Sequence, residues 1–245
     1  MYSPYYSYGY GYYDGWYILC MVLMVVCFVF AMWAQAAVST NFRKFSRVTT
    51  RRGITGAQAA QAVLRANGVS GIQFARIGGK LTDNFNPRTG IISLSSEVYD
   101  SYSVAAVGVA AHEAGHAVQY AKGYGPIRLR NAIIPVCNFG SGLAWPMLFL
   151  GLILGVTPLM GIGVALYALA TLFQVVTLPV EINASRRALR ALSEQGLLYE
   201  DELPMARKTL FAAAMTYVAA LATSLVQLLR LLLIFFSNGG GRRRD

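Results

Sequence analysis

The chain has few charged residues for its length. Of its 245 residues, 13% are charged and 56% are apolar, whereas a typical soluble domain is about a quarter charged. The chain contains long stretches without any Asp, Glu, Lys or Arg. This distribution argues against an ordinary soluble protein and indicates an integral membrane protein.

Cysteine and histidine are scarce as well. The three cysteines form no Cys-x-x-Cys pair, which argues against a disulfide framework and against a cysteine zinc site. The net charge of +10 is compatible with a nucleic-acid partner, but the aromatic residues do not interleave with the basic ones as a binding face requires. We therefore expect a lipid bilayer, and no nucleic acid, to account for the basic charge.

The only two histidines belong to one H-E-x-x-H motif, within the string AAHEAGHAVQ. On a helix, residues four apart share a face, so His112 and His116 can bind one metal ion. Glu113 would then act as the general base on a metal-bound water. The motif predicts a zinc site that hydrolyses peptide bonds. Two histidines with a carboxylate as third ligand would also suit iron or manganese.

The third ligand must be a carboxylate. Catalytic zinc takes three protein ligands and keeps an open position, and no third histidine exists. Glu181 is favoured because it ends an apolar run, where an acid is costly without a partner. An ion pair of Glu181 with Arg186 or Arg187 is the alternative. The other acidic candidates are Asp83, Glu97, Asp100, Glu194 and the patch Glu200–Glu202.

Apolar and polar stretches predict an α-helical membrane protein with about four transmembrane helices and a small α+β zincin-like metallopeptidase domain. The regions are a Tyr/Gly-rich tail, low in complexity and disordered or interfacial (1–15), a first transmembrane helix (16–40), the catalytic domain (41–138), a transmembrane hairpin (139–180), a third-ligand helix with a cytoplasmic segment (181–208), and a fourth transmembrane helix with a basic tail (209–245). The hairpin turn is expected at 157–161.

Within the catalytic domain, three local signals predict secondary structure. A capping box from Thr55 to Gln58 opens a helix. Apolar pieces at 72–77 and 91–95 are typical of strands. The metal-binding helix is expected from about Ser103 to Ala121, because a Gly- and Pro-containing stretch follows it.

Basic residues are distributed unevenly along the chain. Of the 21 lysines and arginines, 17 fall in 43–130 or 186–208, and the hairpin places these two segments on one side of the membrane. The positive-inside rule makes that side cytoplasmic, with the N-terminus outside. The C-terminal arginines (242–244) do not fit four crossings, so the side of the tail stays open.

Two strings carry a resemblance to known peptidases. The H-E-x-x-H motif followed at a distance by Glu181 resembles the gluzincin pattern, and two apolar runs between them resemble HtpX-like membrane peptidases. AAHEAGHAVQ and LPVEINASRRAL are similar to the bacterial neutral zinc metallopeptidases of the YugP-like family. The resemblance covers nearly the whole chain and implies a Zn²⁺-dependent endopeptidase with Glu181 as third ligand. Gluzincins often have an acid four residues after that glutamate, where this chain has Ser185.

Further site residues follow from this picture as candidates. The segment beginning at Gly90 resembles the edge strand that such peptidases offer to an extended substrate, and the alternative is an ordinary buried strand. The substrate-binding candidates are Gly90, Ile91, Ile92 and Ser93. The candidates for an oxyanion donor or for support of the metal ligands are Asn183, Ser185, Arg186 and Arg187, with Tyr217 as a further hydroxyl.

Two other classes of protein compete with a membrane-anchored peptidase. An intramembrane protease requires the motif inside a span, but polar residues 100–103 leave only about eight apolar residues before His112, short of the roughly 17 needed. A catalytically silent zinc-containing scaffold would instead bind a membrane-protein partner or another copy of itself. The peptidase would act on proteins or peptides, membrane proteins included.

Overall fold

The computed structural model describes the backbone of residues 5–240 and the side chains of residues 15–237. Within this range, four helices are long and apolar enough to cross a membrane. They are α1 (Tyr5–Phe45), α5 (Gly125–Leu154), α6 (Thr157–Glu194) and α7 (Leu203–Gly240). The predicted fold class, a helical membrane protein with a small α+β part, is confirmed. Residues 1–4 of the Tyr/Gly-rich tail and the C-terminal arginines lie outside the described residues.

The chain divides into two compact units. The first comprises Met1–Met32, Arg130–Val176 and Val218–Asp245. In it, α5 and α6 pack antiparallel, and a Cβ on Gly163 would lie only 2.6 Å from Leu148 Cγ. Small residues therefore let these two helices approach closely. Residues 157–161, expected as the turn, belong instead to the first residues of α6, since a proline is tolerated in the first turn of a helix.

The second unit comprises Trp33–Leu129 and Thr177–Tyr217. Its α2 (Gly56–Ala66) begins with the predicted capping box, in which Thr55 Oγ1 accepts from Gln58 N at 3.2 Å and Thr55 N donates to Gln58 Oε1 at 2.9 Å. A short α3 (Ser96–Tyr99) precedes α4 (Val104–Ala121). Ser103 caps α4 by accepting from Ala106 N at 3.2 Å. The helix predicted to carry the H-E-x-x-H motif is thus confirmed.

A three-stranded sheet lies in the same unit. Its strands are β1 (Gln73–Ile77), β2 (Asn84–Asn86) and β3 (Ile91–Ser95), in the order β1-β3-β2. The strands predicted at 72–77 and 91–95 are confirmed, whereas the three-residue β2 was not predicted. β3 pairs parallel with β1 and antiparallel with β2.

The central position of β3 contradicts one prediction. Ile91, Ile92 and Ser93 are paired with β1 on one side and β2 on the other, and Gly90 O already accepts from Gln73 N at 2.9 Å. The prediction that Gly90, Ile91, Ile92 and Ser93 form an edge strand open to substrate is therefore wrong. Among the described strands, β1 and β2 form the edges of the sheet.

Buried small residues let α4 pack at the centre of this unit. Fourteen of its eighteen residues are buried, most of them Ala, Gly and Val. Helix α2 packs against it, and α4 also contacts Ala206 of α7 through Gly108. Burial of these apolar surfaces supplies the main stabilisation of the unit and fixes the helix that carries the histidines.

Candidate metal centre

The two histidines lie one turn apart on α4 and face the same point. His112 Nε2 and His116 Nε2 are 3.1 Å apart, and the two rings meet edge to face with centroids 4.7 Å apart. His116 is only 7% exposed. Helical spacing alone produces this juxtaposition, as the i, i+4 pattern predicts.

Glu181 of α6 joins the two histidines. Its Oε2 lies 3.3 Å from His112 Nε2 and 3.4 Å from His116 Nε2, and the residue is 3% exposed. The approach depends on Gly115, because a Cβ there would lie 2.6 Å from the carbonyl oxygen of Ala184. The glycine inside the H-E-x-x-H motif thus lets α6 pack directly on α4.

The three ligand atoms fit a zinc ion. In a tetrahedral site with bonds of about 2.0–2.1 Å, neighbouring ligand atoms lie roughly 3.3 Å apart, and the three separations here are 3.1, 3.3 and 3.4 Å. With each imidazole protonated on Nδ1, three lone-pair atoms converge without a donor between them. The three lone pairs repel one another, and a bound cation would remove this repulsion. Two imidazoles and one carboxylate are ligands that zinc accepts.

Each ring also has a hydrogen-bond partner on its far side that can accept from a protonated Nδ1. His112 Nδ1 lies 3.1 Å from Ser185 Oγ, and His116 Nδ1 lies 3.0 Å from Gln119 Oε1. An Nδ1–H that donates to such a partner leaves Nε2 free to bind a metal. Ser185 thus occupies the position at which many gluzincins have an acid, and it contacts His112, a candidate metal ligand.

Gln119 is the residue of the site that the sequence analysis missed. It is fully buried, and its Nε2 donates to Val180 O at 2.8 Å and to Asn183 Oδ1 at 3.0 Å. Those two bonds orient the amide so that Oε1 accepts from His116. Its spacing, three residues after His116 on a nearly apolar helix, is the signal from which it could have been found.

The other candidates near Glu181, namely Asn183, Arg186 and Arg187, differ in their contacts. Arg187 Nε donates to Asn183 Oδ1 at 2.8 Å, and its guanidinium lies over the Tyr124 ring at 6.0 Å. Arg187 and Asn183 thus extend the network of Gln119. Arg186 is exposed and does not line the cleft that contains His112 and Glu181.

A cleft of ≈ 190 Å³ is lined by two of the candidate metal ligands, His112 and Glu181. Glu113, 8% exposed, also lines it, and it follows His112 directly in the chain. Tyr217 lines the same cleft. The polar side chains of the lining are His112, Glu113, Glu181, Ser185, Asp83 and Tyr217.

Asp83 lines the cleft but is held by the sheet. Its carboxylate accepts from Ser95 N at 2.8 Å and from Ser95 Oγ at 3.3 Å. Burial raises the pKa of the Asp83 carboxyl above its ordinary value, while the bonds from Ser95 oppose that shift. Asp83 therefore connects the chain before β2 to the end of β3 and does not join the histidines.

The other acidic candidates for a third ligand have different partners. Glu97 pairs with Lys80 at 3.0 Å, Asp100 with Arg76, Glu194 with Arg190 at 2.7 Å, and Asp201 with Arg51, while Glu202 accepts from Arg51 N and Tyr199 N at 2.8 Å each. Glu200 is exposed. Among the described His, Cys, Asp and Glu side chains, the one group that could hold a metal is His112, His116 and Glu181.

Four apolar helices together with an H-E-x-x-H motif closed by a distant glutamate define the class of multi-pass membrane proteins with a zincin-type metal site. The family model described as "Putative neutral zinc metallopeptidase" matches residues 20–236, and the chain belongs to this family. The chain is 42% identical over 214 residues to "Putative membrane protease YugP" of Bacillus subtilis (strain 168). The alignment spans 87% of this chain and 95% of that relative. No solved structure matches the chain. The resemblance noted from the two sequence strings is confirmed.

Proposed function

We propose that this protein is a membrane-embedded zinc endopeptidase. The observation that carries the proposal is the convergence of His112, His116 and Glu181 on one point, with Glu113 lining the cleft beside them. Membership of a zinc metallopeptidase family supports it. Helix α4, which bears the motif, is not among the four candidate spans, which favours a site outside the hydrocarbon core over an intramembrane protease.

The roles of the protein side chains follow from their chemistry. Zinc, when bound, lowers the pKa of its water to about 7 and polarises a carbonyl oxygen. Glu113 accepts the proton of the attacking water and returns it to the nitrogen of the leaving amine. The hydroxyl of Tyr217 is the candidate donor to the negative charge that develops on the carbonyl oxygen.

The proposal also includes the side of the membrane. We infer that the cleft faces the cytoplasm and that the N-terminus lies outside, because most basic residues flank the metal site along the chain and positive charge is retained inside. The substrates are then proteins or peptides that reach the cytoplasmic face, membrane proteins included.

The test compares the purified full chain with Glu113→Gln. We expect the variant to keep one zinc per chain, because Glu113 is not a ligand, and to cleave an unfolded casein-type substrate at least ~100-fold more slowly, as expected for the loss of a general base. In the same assay, Tyr217→Phe should lower kcat with zinc retained. Zinc content is measured by elemental analysis.

Two results would contradict the proposal. Undiminished cleavage by Glu113→Gln would exclude Glu113 as the base. Stoichiometric zinc without cleavage of any unfolded substrate by the unmodified chain would favour the silent scaffold, which binds a membrane partner instead.

A further inference from the structure

A second, larger concavity lies next to the catalytic cleft. It is a groove of ≈ 730 Å³ between α6 and α7, bounded by residues 182–194 and 203–215. Ser185, Leu210 and Ala214 line both the groove and the cleft. The two concavities therefore share a wall, and a chain that occupies the groove can continue toward the metal ligands.

The floor of the groove is apolar and accessible. Leu189 and Met215 line it, and Phe211 is 58% exposed although it is a large aromatic side chain. An exposed aromatic next to a site is a common anchor for a ligand. The floor thus suits the side chains of an apolar or aromatic stretch of polypeptide.

The charges along the groove are unbalanced. Its lining contains three arginines and one acid, namely Arg186, Arg190, Arg207 and Glu194. Glu194 already accepts from Arg190 Nε at 2.7 Å. Arg186 and Arg207 are exposed and have no ion-pair partner among the described side chains. Two guanidinium groups are therefore left for an anionic ligand, and guanidinium binds carboxylates with two parallel hydrogen bonds.

We propose that this groove is a substrate subsite that selects polypeptide segments combining apolar residues with a carboxylate side chain near the cleaved bond. The proposal rests on the peptidase function and adds the substrate class. The shared wall favours a peptide over a membrane lipid as the occupant. Ser185, Leu210 and Ala214 line both the groove and the cleft, so a long ligand such as a peptide can contact them in the groove and continue into the cleft.

The test uses the zinc-loaded full chain in neutral phosphatidylcholine nanodiscs. The substrates are quenched fluorogenic peptides with one apolar core, in which a single Glu is moved stepwise along the sequence and replaced by Gln or Lys in matched peptides. At one or two positions we expect Glu to raise kcat/KM about tenfold over Gln, the size of one charge-assisted hydrogen bond. Arg207→Glu should abolish that preference and favour the Lys peptide, and Arg186→Glu should do the same.

Lys208→Glu is the matched control. Lys208 neighbours Arg207, carries the same charge and is exposed, but it does not line the groove. It should leave the Glu preference unchanged. Zinc content of each variant verifies that the site is intact.

Binding separates this proposal from the peptidase function. Anisotropy of labelled peptides with zinc-loaded Glu113→Gln measures the charge preference without turnover. A Glu preference in binding but no cleavage by the unmodified chain would support the subsite and contradict the endopeptidase.

Two outcomes overturn the subsite. One is equal binding and cleavage of the Glu, Gln and Lys peptides at every position. The other is a loss of binding to phosphatidylglycerol vesicles in Arg207→Glu with unchanged peptide selectivity, which would assign the groove to anionic lipid headgroups.

Discussion

At the scale of single residues, Gln119 has the most specific role that local sequence does not reveal. Its amide is oriented by Val180 O and Asn183, so that it accepts from His116 Nδ1. Partners of this kind fix the tautomer of a metal-binding histidine, and their loss commonly weakens metal affinity 10–100-fold. Gln119→Met keeps the volume and removes the acceptor. We therefore expect its zinc Kd, measured by competition with a chelator, to rise about 10–100-fold.

Gln227 provides a control for this substitution. It is also a buried glutamine, 6% exposed, but it belongs to the other unit of the chain. Gln227→Met should change thermal stability without changing the zinc Kd. An unchanged zinc Kd in Gln119→Met would show that Gln119 only fills space beside His116.

At the scale of elements, the contact between α4 and α6 positions Glu181, the proposed third ligand. It depends on Gly115, since a Cβ there would meet the backbone of Ala184, three residues after Glu181. Backbone cannot move aside as a flexible side chain can. Gly115→Ala should therefore push α6 away from α4, weaken zinc binding and lower activity by at least ~10-fold, because a displacement of about 1 Å can cost 100-fold.

Gly108 is the matched control on the same helix. A Cβ at Gly108 would lie 3.4 Å from Ala206 Cβ, an ordinary contact. Gly108→Ala should keep full zinc stoichiometry and raise the melting temperature, because alanine favours a helix over glycine by up to about 1 kcal/mol. Equal loss of zinc in both variants would contradict a specific role for Gly115.

The elements differ in how far the sequence predicted them. Helix α2 was predicted with its cap because Thr55 acts through hydrogen bonds to Gln58, three positions away. Helix α4 was predicted from the Gly- and Pro-containing stretch that follows it, whereas its cap at Ser103 was not predicted. The strand β2 was missed because three residues are too few to show an alternation of apolar and polar side chains. The edge-strand prediction for β3 failed because strand order depends on pairing between residues that are separated along the chain, such as those of β2 and β3.

At the scale of the whole molecule, some residues of the candidate site were predictable from the sequence and others were not. The H-E-x-x-H motif contains its own geometry, so its two histidines were predictable from spacing alone. Glu181 was favoured on the cost of an acid at the end of an apolar run, and the structure brings it to the histidines. Gln119 depends on a contact 61 residues further along the chain, and the groove depends on the packing of two separate helices, α6 and α7. No local pattern records either.

Membrane sidedness is the last property that charge distribution predicts for the whole chain. Arg88 lies between β2 and β3, in the segment expected inside. Val156, 41% exposed, lies between α5 and α6, in the turn of the hairpin that is expected outside. The three native cysteines are buried, so they give little background. A membrane-impermeant maleimide should therefore label Val156→Cys in intact cells and Arg88→Cys only in inverted vesicles, with the unmodified chain as control. Labelling of Arg88→Cys in intact cells would reverse the topology and place the cleft outside.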